Sequence, residues 1–280
     1  MSTQATPALC SQIRRDIVRM VHGAQSGHPG GSLGCVELLA KLYFDVMTVN
    51  TDEFKMDGLN EDLFFLSNGH ISPVWYSVLS RRGYFPLSEL ATFRKINSRV
   101  QGHPATEENL PGIRIASGSL GQGLSVGLGA AETKKLNGDD SWVYTLHGDG
   151  ELQEGQIWEA AMYAAHNKID NILSFVDCNG QQIDGPCDEI LSLKDLAGKW
   201  KAFGWHVIEC DGHSLDELGA AIEEAHSRRG SGVPCIVLMK TEMGKGVDFM
   251  EGTHKWHGIP PNDEQLADAL SQLDGSLGDY

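Results

Sequence analysis

The chain has 280 residues, 41% of them hydrophobic and 33 of them glycine, which suits a globular protein with one large α/β core or two small ones. Its net charge of −16 argues against nucleic acid as a partner, because neutralisation of phosphates by Lys and Arg dominates that affinity; it also opposes long-range attraction of any anionic ligand. No run reaches the ~18 uninterrupted apolar residues of a membrane span, and residues 1–15 have neither a basic head nor a long apolar core. The expectation is a soluble, cytoplasmic protein. Cys10, Cys35, Cys178, Cys187, Cys210 and Cys235 form no CxxC pair, which argues against disulfides or zinc and for a reducing compartment.

From Ser11 to His22, Ile13, Ile17, Val18, Met20 and Val21 interleave with Arg14, Arg15 and Arg19, which predicts an amphipathic helix. It ends at SGHPGG. Cys35 to Phe44 is a second helical pattern, and the PGGS loop between the two gives His28 a setting of unusual backbone freedom. A single histidine there reads first as a surface or capping residue. Asp62 to Leu66 predicts a short strand that breaks at Ser67-Asn68-Gly69-His70, followed by a helix to about Arg82. His70 thus follows a strand and opens a helix, where a neutral imidazole N–H can meet a phosphate oxygen. PLSEL (86–90) starts a further helix that runs to the loop bearing His103. GSLGQGLSVGLGAAE (118–132) predicts a glycine-rich helix, although each Gly costs up to ~1 kcal/mol relative to Ala. Compensation is expected from close approach of a ligand at Gly118 to Leu120. At Gly127 and Gly129 it would come from neighbouring helices or from tight packing on a sheet.

The stretch from Val143 to Gly185 organises the chain. Two β-branched, apolar runs, Trp142 to Leu146 and Asn171 to Val176, flank a helical segment from Ile157 to Lys168. This is a strand-helix-strand unit, which requires parallel, right-handed pairing and places the carboxyl ends of both strands on one sheet edge, where open α/β proteins bind ligands. Asp149 follows the first strand and Asn179 the second. Mg²⁺ wants oxygen ligands, and Asp149, the amide oxygen of Asn179 and a nearby backbone carbonyl would supply the protein share. Gly150 leaves room for a phosphate at the start of the next helix. Further on, Leu193 to Phe203 and Leu215 to Arg228 read as helices and His206 to Glu209 and Cys235 to Lys240 as strands. This rhythm predicts one doubly wound α/β domain over residues 1–280, with a mostly parallel sheet and helices on both faces. Asn262 to Leu270 reads as a short helix, so that 263–280 forms a C-terminal helix and a frayed GSLGDY tail.

GDG, about thirty residues and an Asn followed by IDG resembles the thiamine diphosphate motif. SGHPGGSLG (26–34), LSNGH (66–70), QGHP (101–104), GSLGQG (118–123) and WHGIPP (256–261) extend the likeness to transketolases, in family order and at near-family spacing. The resemblance implies the diphosphate-binding (PP-type) thiamine fold, thiamine diphosphate as cofactor with Mg²⁺ or Ca²⁺, and transfer of a two-carbon ketol unit from a ketose phosphate to an aldose phosphate. Carried over by position, Asp149, Asn179 and the carbonyl of Gln181 would hold the metal. His70, Gly118, Ser119, Leu120, Gly150, Glu154, Asn179, Ile183 and His257 would contact the cofactor, and His103, His28 and His257 would be the catalytic groups at the donor sugar. Imidazole suits polyhydroxy ketones whose oxygens gain and lose protons near neutral pH. Glu154 also matches a buried family glutamate at a subunit contact, and a plain helix-surface carboxylate fits it as well.

The chain departs from the family at three positions: His147 stands where an aliphatic residue precedes GDG, and Ser32 and Ser119 replace prolines. No equivalent of the family's pyrimidine-binding domain, with its catalytic glutamate, can be assigned. The expectation is therefore the N-terminal half of a split transketolase, whose partner is a separate C-terminal subunit in an α₂β₂ assembly. A deoxyxylulose phosphate synthase-like or 2-oxoacid dehydrogenase-like subunit is the competing enzyme, and the SGHPG, QGHP and WHG loops speak against both. A non-catalytic regulatory subunit is the other alternative. The intact Asp149, Asn179 and four histidines argue against it.

Overall fold

The computed structural model describes residues 4–275 and 277–280. Seven strands form among them: β1 (Leu63–Leu66), β2 (Val143–Gly148), β3 (Ile172–Cys178), β4 (Gln181–Gln182), β5 (Gly185–Pro186), β6 (His206–Asp211) and β7 (Cys235–Lys240). Five of them make one sheet in the order β1–β2–β3–β7–β6, every pair parallel, while β4 and β5 form a small antiparallel hairpin at its edge. The helices are α1 (Pro7–Ala24), α2 (Pro29–Gly34), α3 (Val36–Lys41), α4 (Ser72–Arg82), α5 (Gln122–Asn137), α6 (Gly155–His166), α7 (Cys187–Leu191), α8 (Leu196–Ala202), α9 (Leu215–Ser227) and α10 (Asp263–Gln272).

Strand order explains why both faces are covered. The steps β1 to β2, β2 to β3 and β3 to β6 cross the sheet in one direction, and β6 to β7 steps back, so right-handed crossovers put α9 opposite α5, α6 and α8. Gln156 of α6 bonds Gln122 of α5 at 2.9 Å, and Trp158 of α6 packs on Trp200 of α8 with ring centroids 5.1 Å apart. On the other face α9 meets α3, and Ser77 of α4 donates to Asp16 of α1 at 2.6 Å. A sheet covered on both sides needs buried residues in unbroken runs, which is what β1, β2, β3 and β7 carry; most are apolar, and the polar Thr145, His147, Ser174 and Asp177 are buried among them. The predicted fold class is the observed one. No helix among the described residues is long and apolar enough to cross a membrane, and all six cysteines are free.

Several local expectations are corrected. The PGGS stretch is helical, and its glycines serve contact: a Cβ on Gly30 would lie 2.6 Å from Met243 Cγ, and one on Gly31 2.8 Å from Ile71 Cγ2. The run to Phe44 is α3 followed by a π turn over Leu42–Val46. PLSEL yields only a 3₁₀ stretch, Leu87–Thr92, because Arg94 and Asn97 turn to positive φ before the QGHP loop. The glycine-rich helix begins at Gln122, after Gly121 at φ +85. Within it, Gly127 is approached by the sheet, a Cβ there lying 2.6 Å from Thr145 Cγ2, whereas Gly129 has nothing within 4 Å. Arg14 and Arg15 do not form a solvated helix face: Arg14 is buried and grips Glu37 through two hydrogen bonds of 2.7 and 2.8 Å, and Arg15 binds Asp279 at 2.7 Å. The tail is therefore tied to α1 at Asp279, which also accepts from Gln12, and is not frayed there; Ser276 lies outside the described residues.

Candidate active site

The carboxyl ends of β1, β2 and β3 deliver Asn68, Asp149 and Asn179 to one cavity of about 420 Å³. His28, His70, Gly118, Leu120, Gly150, Glu154, Gln181, Ile183 and His257 line it as well, so most of the residues singled out from the sequence share one space. Two do not reach its wall. Ser119 is exposed outside it, and His103 stands exposed beside Gly118, whose Cβ position would be 3.4 Å from His103 Cδ2. In the single chain Glu154 and Ile183 stand exposed at the rim.

Asp149 is buried, and its carboxylate accepts from Gly150 N–H at 2.7 Å and from Gly180 N–H at 2.6 Å, which joins the end of β2 to the Asn179 loop. Asn179 Oδ1 accepts from Gln181 N–H at 2.8 Å, and its amide donates to Asp177 at 2.8 Å. Burial, and then the neighbouring Asp177, push the Asp149 carboxyl up to about 7. Burial also raises the Asp177 carboxyl, and two buried carboxyl groups side by side make a place where a cation is welcome. Among the described residues no group of three His, Cys, Asp or Glu side chains is arranged to hold a metal, so a cation here would rely on one carboxylate, an amide oxygen and a backbone carbonyl. The helix expected directly after Gly150 is only a 3₁₀ turn, Gly150–Gln153; α6 starts at Gly155, which leaves little helix dipole at Gly150.

The four loop histidines form a ring cluster. His28 lies with its centroid 5.1 Å from His70, 5.5 Å from His257 and 6.3 Å from His103, and His70 stacks on His257 at 5.1 Å. His254 is not part of this cluster; it opens the 3₁₀ turn His254–Trp256. Burial, followed by the charges of His257, Arg94 and His103, lowers His28 to about 4, and burial holds His70 and His257 below their ordinary value; the exposed His103 is lowered by the partial loss of water against its neighbours and by the Arg94 charge. Each imidazole is therefore neutral at pH 7 and can donate at one nitrogen while accepting at the other. Nδ1 of His28 and of His257 are buried with no hydrogen-bond partner.

This sets a pH dependence. Between pH 4 and the unperturbed 6.5, the unfolded chain binds a proton that folded His28 refuses, so its contribution to stability is complete above about 6.5 and is lost as pH falls toward 4. Asp149 acts in the opposite sense: with its carboxyl raised, its contribution is present below the usual 3.8 and lost as pH rises through about 7. His28→Asn should flatten the acid limb of a urea-melt stability profile between these limits. An acid limb identical to wild type contradicts the assignment.

Four site residues were not anticipated. Asn68 is 1% exposed with its Oδ1 unpartnered; Asp177 sits two residues before Asn179; Glu151 is buried behind Asp149; and Arg94, half-buried beside His28 and His103, keeps Nε and Nη2 without partners. Only Asp177 and Glu151 carried a signal, as acidic residues within otherwise apolar or Gly-rich strand ends. His147, the family departure, is fully buried and bonds Thr145 through Nε2 at 2.9 Å.

An all-parallel sheet with Asp149, Asn179 and a histidine cluster at its carboxyl edge defines a thiamine diphosphate-binding α/β protein, and residues 6–275 match the family described as transketolase, thiamine diphosphate binding domain. The chain belongs to the transketolase family. It is 40% identical over 248 residues to 6-deoxy-6-sulfo-D-fructose transketolase subunit SqwG of Clostridium sp. (strain MSTE9), covering 89% of this chain and 88% of that one. It is 37% identical over 260 residues to one of the subunits of apulose-4-phosphate transketolase from Phocaeicola vulgatus, covering 93% and 90%. The transketolase structure from Campylobacter jejuni superposes with a TM-score of 0.87 at 34% identity, over 97% of this chain but 43% of that one. The chain thus spans nearly the whole of these subunit-type relatives and about two fifths of the solved transketolases.

Proposed function

We propose that this chain is the diphosphate-binding subunit of a split, thiamine diphosphate-dependent transketolase, moving a two-carbon ketol unit from a ketose phosphate to an aldose phosphate. The observation behind the reading is the cluster of four neutral imidazoles, of which His28, His70 and His257 line the cavity that also holds Asp149. The residues fit the cofactor: the donor set at Asp149, Asn179 and the Gln181 carbonyl is all oxygen, as Mg²⁺ or Ca²⁺ requires, and Asn68, His28 and His257 leave buried polar atoms unpartnered around the cavity. Bound there, thiamine diphosphate supplies the electron sink for breaking the carbon–carbon bond.

The protein's share is binding, orientation and proton handling. Gly118, Leu120 and Gly150 would present backbone to the diphosphate end, with Ser119 next to them, and His70 and His257 would contact the cofactor. Glu154 and Ile183 would close the rim, where a partner can cover them. His28, His103 and His257 would bind the donor's hydroxyls and carbonyl and carry protons between them. The neutral state set by burial is the one able to accept from a hydroxyl at one nitrogen while donating at the other. The reading includes a separate partner subunit with the pyrimidine-binding domain, an α₂β₂ assembly, a single domain over 1–280 with 263–280 as C-terminal helix and tail, and a cytoplasmic location, which six free thiols support.

His103→Ala should lower kcat/KM for the ketose donor by ~10²–10⁴-fold while thiamine diphosphate affinity, measured by calorimetry with the partner present, is retained. Wild-type kinetics with every donor tried would refute the role.

A further inference from the structure

We propose that Glu151 is a positioning residue for the diphosphate end of the site, tying three loops into one corner with His147 beneath it. This role presupposes the thiamine diphosphate function proposed above. Glu151 is 2% exposed, and a carboxylate buried so deeply is stable only if its oxygens are satisfied. It accepts from Gly121 N–H at 2.8 Å, from Gly148 N–H at 3.1 Å and from the Ser67 hydroxyl, and that hydroxyl in turn accepts from Gly123 N–H at 3.0 Å. One side chain therefore joins the loop after β1, the entry to α5 and the end of β2.

Each tie point is next to a residue with an assigned ligand role. Ser67 precedes Asn68 and His70, Gly121 follows Gly118 to Leu120, and Gly148 precedes Asp149. A displacement at any tie point would move the backbone offered to the diphosphate. Below the corner, His147 Nδ1 lies 3.7 Å from Glu151 Oε1, while its Nε2 bonds Thr145, whose hydroxyl donates to Ser174 at 2.8 Å. The corner is thus anchored to β2 and β3. Packing leaves no slack: a Cβ on Gly123 would lie 2.4 Å from Ser67 Cβ, and one on Gly121 2.9 Å from Glu154 Cβ. Three donors occupy the two carboxylate oxygens, which separates Glu151 from the groups that handle substrate protons.

The test uses the complex of this chain with its partner, comparing Glu151→Gln, Glu151→Leu, Ser67→Ala and Asp149→Ala. Calorimetry reads thiamine diphosphate affinity with Mg²⁺, and steady-state kinetics read the cofactor KM against kcat. Glu151→Leu should weaken affinity ~30–100-fold, with the rise in KM exceeding the fall in kcat, whereas Glu151→Gln, whose one amide oxygen keeps the bonds from Gly121 N–H and Ser67 but whose NH2 cannot accept from Gly148 N–H, should lose less, staying within ~10-fold of wild type. Affinity within ~3-fold of wild type in Glu151→Leu, or equal damage from Gln and Leu, overturns the proposal. If Glu151→Leu does not fold, Ser67→Ala decides: weaker cofactor binding supports the role and unchanged binding overturns it. Asp149→Ala separates the two levels. Retained affinity there defeats the functional reading itself, while loss there with intact affinity in the Glu151 and Ser67 variants defeats only the positioning role.

Discussion

Ketol transfer should be absent from the purified chain, absent from the purified partner subunit proposed above, and present when the two are mixed. A thiamine site has to grip the cofactor at both ends, the diphosphate through a metal and the aminopyrimidine through an apolar slot with a carboxylate at its ring nitrogen. The cavity at the sheet edge supplies polar and backbone groups of the first kind, at Asp149, Asn179 and the glycine loop. Half the contacts bind weakly, and without the second carboxylate the cofactor's reactive carbon is not activated. The surface is consistent with a partner: Ile183, Leu191 and Ile259 are more than half exposed, and so is Met162 on α6. Turnover by this chain alone, at a rate comparable to that of the mixture, would overturn the split-enzyme reading.

Asp149→Ala should abolish metal-dependent cofactor binding while the chain still folds. Removing an outer partner of a metal ligand already costs ~10–100-fold in affinity, so loss of the single carboxylate ligand should exceed ~10²-fold. Stability should hold, because burial and Asp177 oppose the charged form of Asp149, and the alanine removes that conflict along with the hydrogen bonds to Gly150 and Gly180. Calorimetry with Mg²⁺ and the partner present, paired with a thermal melt of the same sample, checks both halves. An affinity equal to wild type would remove Asp149 from the metal site.

The sheet was legible wherever strands are covered on both faces. Cys235 to Lys240 is predicted residue for residue, and the β2 and β3 runs to within two residues at each end, since short runs dominated by β-branched and other apolar residues have few other readings. Elements governed by contacts distant in sequence were not legible. PGGS reads as a loop because glycine is a poor helix former, yet Met243 and Ile71 close on Gly30 and Gly31 and leave room for nothing larger. The tail reads as frayed because its partners, Gln12 and Arg15, lie some 265 positions earlier.

Local sequence was enough for the fold class, the parallel βαβ core and the identity of the histidine and Asp149–Asn179 loops, because each of these depends on periodicity, on strand ends and on short motifs. Long-range packing supplied the rest: that His28, His70, His103 and His257 meet ring to ring while His254 does not, that Asp177 faces Asp149, and that Glu151 and His147 form the floor beneath the glycine loop. The physical reason is burial. A carboxylate or an imidazole has one chemistry in water and another when desolvated beside its neighbours, and only the packed chain settles which groups lose water together.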